Sequence, residues 1–98
     1  MLEFYNGDSV NLNVSILEES GKPYKFNEGD TVLFTLDSES KLTKKIENGQ
    51  LYLTHEETKR LTPGAYAFDI RIFDKNKNLV QTALVDMLKV KAVVNDEI

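Results

Sequence analysis

Apolar residues recur at every second position along most of this chain. In residues 10–16, Val10, Leu12, Val14 and Ile16 alternate with Asn11, Asn13 and Ser15. A helix of that sequence would scatter its apolar residues around the whole circumference, so the period of two marks a half-buried strand. Tyr24 and Phe26 form a short alternating piece. The pattern then predicts strands over 31–36, with Val32, Phe34 and Leu36 inward and Leu33 on the outer face, and over 42–46, with Leu42, Lys44 and Ile46 sharing a face. A further strand covers 50–54, with Leu51 and Leu53 on one side. Residues 64–73 carry the clearest signal: Tyr66, Phe68, Ile70 and Ile72 alternate with Ala65, Ala67, Asp69 and Arg71. The last strand runs over 79–94, where Val80, Leu84, Leu88 and Val90 share a parity with Asp86. A buried carboxylate is costly, so an exposed face, a bulge or a break is expected near Asp86.

Turn chemistry separates these strands. Residues 18–23 hold Glu18, Glu19, Gly21 and Pro23, residues 27–30 hold Gly29, and the loop over 37–40 is polar. Asn48-Gly49 is a hairpin signal because both residues accept positive φ. Residues 55–61 are the one helix-compatible stretch; Thr54 and Glu57 have the spacing of a capping box, and Pro63 limits the helix to a single turn. The tail over 95–98 is expected to fray. About seven strands with turns every 8–12 residues predict an all-β fold, an antiparallel Greek-key β-sandwich of immunoglobulin-like type, in one domain over 1–98.

Leu61-Thr62-Pro63-Gly64-Ala65-Tyr66 opens the most strongly alternating strand. This Leu-x-Pro-Gly-x-Tyr run resembles the tyrosine corner of Greek-key sandwiches. In such a corner the ring packs inward and the hydroxyl bonds back to the backbone just upstream. Leu61, Pro63, Gly64 and Tyr66 are the expected structural corner.

Composition narrows the chemistry. The chain has 98 residues, with 12 basic and 16 acidic side chains for a formal net charge of −4, no Cys and one His. With no Cys there is no disulfide framework, thiolate zinc site or cysteine nucleophile. The negative charge and the scattered Lys and Arg argue against nucleic acid as a partner. No run approaches the roughly 18 apolar residues of a membrane span. The opening MLEFYNGDSV lacks the basic start and apolar core of a signal peptide, so the product is expected to be cytoplasmic at synthesis.

The reactive-looking motifs fail on inspection. His55-Glu56-Glu57-Thr58-Lys59 starts like a metalloprotease helix but places Lys59 where the second His must stand. Residues 74–78 place oxygens at alternate positions, as a calcium loop does, yet Leu79 and Val85 occupy the positions that need Gly and Glu. Glu18-Glu19 and Glu56-Glu57 read as solvated faces, and Asn13-Val14-Ser15 matches a glycosylation acceptor without a secretory context. No catalytic, metal or cofactor-binding residue is expected, and the chain is read as a non-enzyme.

The order of signals carries a resemblance. Gly7-Asp8-Ser9 leads into an alternating strand, and a Ser-Gly-Lys-Pro turn follows. Gly29 to Phe34, the short strand Leu51-Tyr52-Leu53-Thr54, the helical turn through Glu56 to Thr58 and the run from Leu61 to Ile70 come next, and a hairpin closes the chain. This pattern is similar to small β-sandwich virion proteins of tailed phages and prophages of Gram-positive bacteria. It most resembles the N-terminal module of phage baseplate upper proteins, from which it departs in carrying Asp86 where such modules often have Gly. The resemblance implies a structural, protein-interaction role in a tail or baseplate. It implies other tail proteins as partners, or a homo-oligomer, within a virion or tail-like particle. Leu33 and Phe73 are candidate interface residues. The alternative is an immunoglobulin-like adhesion or carbohydrate-binding domain of a bacterial surface protein, for which Tyr5, Tyr24, Tyr52 and Phe73 are the candidate exposed aromatics.

Overall fold

A computed structural model describes residues 2–17, 20–39 and 41–93. Its strands are β1 (Leu2–Tyr5), β2 (Val10–Asn13), β3 (Thr31–Leu36), β4 (Leu42–Ile46), β5 (Gln50–Leu53), β6 (Gly64–Phe73) and β7 (Leu79–Lys91). One helical turn, α1 (His55–Lys59), lies between β5 and β6. The protein is all-β apart from this turn. A five-stranded sheet has the order β1-β7-β6-β3-β4, and β2 pairs with β5 in a second, two-stranded sheet.

Each sheet buries the face that the alternation marks. Val32, Phe34 and Leu36 of β3, Phe68, Ile70 and Ile72 of β6, and Leu88 and Val90 of β7 are buried together with Leu51 and Leu53 of β5. Phe34 and Phe68 meet at 5.3 Å between ring centroids. Each such side chain contributes about 1.5–3 kcal/mol through removal from water.

Three details differ from the sequence reading. First, the wholly antiparallel sheet is corrected to a mixed one, because β1 runs parallel to β7, with Leu2 opposite Leu88 and Tyr5 opposite Lys91. A parallel pair cannot be closed by a tight turn, and here β1 is the first element in chain order and β7 the last, so no short connection joins them. Second, residues 24–26 form no strand. Tyr24 N–H donates to the Ile16 carbonyl at 2.9 Å, and the rings of Tyr24 and Phe26 meet edge to face. Third, β2 stops at Asn13, although Val14 and Ile16 keep the half-buried alternation. Its partner β5 begins at Gln50, so the next position, Val14, meets the Asn48-Gly49 turn; Val14 N–H donates to the Gly49 carbonyl at 2.6 Å.

Asn48 and Gly49 have φ of 52° and 72°. The chain thereby reverses between β4 in the large sheet and β5 in the small one, the geometry that two positive φ values produce. The pairing of β6 with β7 shifts register between Ile70 and Arg71 and again between Ile72 and Phe73. Asp86 lies beyond these shifts, opposite Phe68 and exposed. The expectations for Glu18, Glu19, Ser40, Val94 and the tail over 95–98 lie outside the described residues.

Candidate functional site

The segment before β6 brings Leu61, Pro63, Gly64 and Tyr66 into one short bend. Leu61 is buried in the core, Pro63 is exposed, and Tyr66 is partly buried against the core. The Tyr66 hydroxyl donates to the Thr62 carbonyl.

The helical turn is held from two sides. At its start the Thr54 hydroxyl accepts from Glu57 N–H at 3.2 Å, and the Glu57 carboxylate accepts from Thr54 N–H at 2.9 Å. Lys44 on β4 donates to both Glu57 oxygens at 2.9 Å. Burial pushes the Glu57 carboxyl up, but the Thr54 backbone bond, the Lys44 bond and the Thr54 hydroxyl together hold it below its ordinary 4.5. At the other end the Asn6 side-chain amide donates to the carbonyls of Thr58, Lys59 and Leu61 at 3.2, 3.1 and 2.6 Å. These carbonyls belong to the end of the turn, where helical partners run out. The buried Thr58 hydroxyl donates to the Asp8 carbonyl at 2.7 Å, and His55 Nδ1 lies 2.5 Å from the Gly7 carbonyl. Sequence reasoning missed this clamp. In the sequence pattern Gly7 and Asp8 stand only as the lead into the alternating strand that follows.

These polar groups serve structure. Glu57 completes a cap and an ion pair, and His55 faces a backbone carbonyl. Asp74 Oδ1 is already occupied, accepting from the N–H groups of Asn76 and Asn78 at 2.9 Å each. Among the described residues no group of three His, Asp or Glu side chains stands close enough to hold a metal ion. No helix among them is long and apolar enough to cross a membrane.

Exposed apolar surface concentrates on one strand. β1 covers the edge of β7 only along residues 88–91. Among the described residues, β7 pairs along 79–87 with β6 alone. Here Leu79, Val80, Leu84, Val85 and Met87 are all exposed, Val85 most at 69%. The exposure reaches both faces. Leu84 shares a face with buried Ile70, and Val85 shares the opposite face with Asp69. Of the residues singled out from sequence, Leu33 and Phe73 are partly exposed diagonal neighbours on the outer face, and Phe73 stands opposite Leu79. The aromatic candidates are dispersed in kind: Lys91 Nζ sits 5.3 Å over the Tyr5 ring, Tyr24 packs on Phe26, and Tyr52 is exposed on β5. The open half of β7 was legible only in part, through Asp86, whose parity led to the expectation of an exposed face, a bulge or a break.

No protein-family model matches this chain, and a search of curated proteins finds no relative.

Proposed function

We propose that this chain is a non-catalytic structural module of a phage or prophage tail or baseplate, working through protein–protein contacts on an immunoglobulin-like Greek-key sandwich. The observation that carries the interaction reading is the open half of β7. An unpaired edge strand with apolar side chains on both faces is a template for a partner chain. The sandwich reading draws on strand order: β7-β6-β3-β4 opposite β2-β5 parallels the G-F-C-C′ and B-E arrangement of immunoglobulin-like domains. The Tyr66 bond to Thr62 sits at the start of β6, where the corner tyrosine of that fold stands. The phage assignment draws on the resemblance in sequence pattern and on the structural employment of the polar groups.

The deciding experiment is mass spectrometry of purified tailed particles from the strain that encodes the chain. Trypsin releases the peptide Leu61–Arg71, which follows Arg60 and ends at Arg71. Its recovery from washed particles is the expected result. Particles that lack it, from cells that make the protein, overturn the assignment.

A further inference from the structure

The dipeptide Asn-Gly occurs twice in the chain, at Asn6-Gly7 and at Asn48-Gly49. We infer that Asn48 is a site of spontaneous deamidation, and that the fold protects Asn6 from the same reaction.

The chemistry starts at the glycine. No side chain shields its nitrogen and its backbone turns freely, so the nitrogen can reach the side-chain carbonyl carbon of the residue before it. The Gly49 nitrogen loses its proton to solvent and attacks Asn48 Cγ. The N–Cγ bond forms and the Cγ–Nδ2 bond breaks. The amide nitrogen leaves as ammonia, taking a proton from solvent, and a cyclic imide remains. Water then adds to either ring carbonyl. Addition at Cγ breaks the new N–Cγ bond and gives aspartate. Addition at the main-chain carbonyl carbon breaks its bond to the Gly49 nitrogen and gives isoaspartate, in which the chain runs through Cβ and Cγ. The net change is water gained and ammonia lost, with no oxidation or reduction.

The two sites differ first in the amide that must move. Asn6 Nδ2 donates to the carbonyls of Thr58, Lys59 and Leu61 at 3.2, 3.1 and 2.6 Å. Turning Asn6 Cγ toward the Gly7 nitrogen pulls Nδ2 off these acceptors. The Asn48 side chain is exposed and makes no hydrogen bond among the described residues. They differ next in cover. Gly7 is half-buried, and the His55 ring lies 3.4 Å from where a Cβ on Gly7 would stand. Gly49 is exposed. At the Asn48 turn the backbone leaves the reacting peptide loose as well. Glu47 and Gln50 exchange N–H···O bonds at 3.1 and 2.9 Å, and Val14 N–H holds the Gly49 carbonyl at 2.6 Å. The peptide between Asn48 and Gly49 has no hydrogen bond at its N–H or its C=O among the described residues. It can therefore rotate into the attacking geometry while the hairpin stays paired.

The products act differently on the fold. Aspartate tolerates the φ of 52° at position 48, so it keeps the turn and adds a charge beside Glu47. Isoaspartate lengthens the main chain inside a two-residue turn. The Glu47–Gln50 pairing and the Val14 bond then loosen where β4 of the large sheet passes to β5 of the small one.

The test uses the full chain in mildly alkaline buffer. One sample is folded and a second is unfolded in guanidinium, and both are kept until the unfolded chain has largely converted. Trypsin places Asn48 in the peptide Ile46–Lys59 and Asn6 in Met1–Lys25, because Lys22 precedes Pro23. Fragmentation mass spectrometry locates each replacement of amide nitrogen by oxygen. In the folded chain Asn48 is expected to convert at least about tenfold faster than Asn6, since the step at Asn6 must first break its hydrogen bonds. In guanidinium the two rates are expected to converge. Equal rates in the folded chain overturn the inference, as does an Asn48 that stays intact while the unfolded chain converts. A difference that persists unchanged in guanidinium also overturns it, because sequence neighbours and not the fold would then set the two sites apart.

Discussion

Leu84 and Leu88 are the same residue in the same strand, and both pair with inward positions of β6. Yet Leu84 is 44% exposed and Leu88 is fully buried. Their intrinsic hydrophobicity is identical, so the difference comes from what lies beyond the strand. At Leu88, β7 has β6 on one side and β1 on the other, and its inner face belongs to the core. At Leu84 the described residues supply no outer neighbour, and the side chain stays exposed. The half of β7 that carries lysines, residues 88–91, is the buried half, because Lys89 points away while Leu88 and Val90 are enclosed. Burial in a sheet is a property of neighbours as much as of side chains, and the two halves of β7 therefore serve different ends.

The sharpest way to break this comparison is to truncate both leucines. Leu88→Ala removes fully packed atoms and is expected to cost about 2–5 kcal/mol. Leu84→Ala removes side-chain surface that already faces water and is expected to cost under about 1 kcal/mol. Urea midpoints measured at a concentration where the chain is monomeric read the difference. Equal losses would mean that Leu84 is packed in solution and that the two halves are not distinct.

The next effect concerns what holds β1 in place beside the buried half. Asn6 follows β1 directly. Its N–H donates to the Lys91 carbonyl at 2.9 Å, and its side chain holds the end of the helical turn. Asn6→Ala leaves partly buried carbonyls without that donor, at an expected cost of about 2 kcal/mol. Amide exchange should quicken along 88–91 and α1 while remaining unchanged along 79–83. A uniform response along β7 would show that the clamp acts on the whole strand.

Tyr66 stands opposite Leu88 on β6. Tyr66→Phe keeps the ring against the core and removes the bond to Thr62, so a loss of about 1 kcal/mol is expected. An unchanged denaturation midpoint would show that the hydroxyl adds nothing beyond ring packing.

Most of this architecture was legible where side chains alternate between core and solvent. The inward sets of β3, β5 and β6 follow directly from period two, and Thr54 with Glu57 marked the start of α1. The strand β1 went unread although Leu2 and Phe4 alternate with Glu3 and Tyr5. Four residues make a weak periodic signal, and the partner of β1 lies 86 positions away in the register Leu2 to Leu88. The open edge could not be read for the same reason. Local pattern says which residues want to be covered; only topology says which of them are. Asp86 was the single local clue, since its inward parity led to the expectation of an exposed face, a bulge or a break.

The smallest effect lies on the solvent-facing surface of the closed half, where Lys91 Nζ meets Glu3 Oε2 at 2.9 Å between β7 and β1. The bond and charge of Lys91 hold the Glu3 carboxyl below its ordinary 4.5, and those of Glu3 hold the Lys91 ammonium above its ordinary 10.5. A lowered carboxyl adds stability that is present above its unfolded pKa and lost as pH falls through the folded value. A raised ammonium adds stability that is present below its unfolded pKa and lost as pH rises through the folded one. The pair therefore acts between about pH 4.5 and 10.5. Exposed pairs contribute little because water and salt screen them, so Glu3→Gln is expected to lower the midpoint only slightly at pH 7 and low salt. At pH 3 the carboxyl is substantially protonated in the unfolded chain, so the gap should narrow there, and high salt should close it. A gap that persists unchanged at pH 3 and in salt would assign the role of Glu3 to packing against β7, and would place the join of β1 to the buried half on side-chain contact instead of charge.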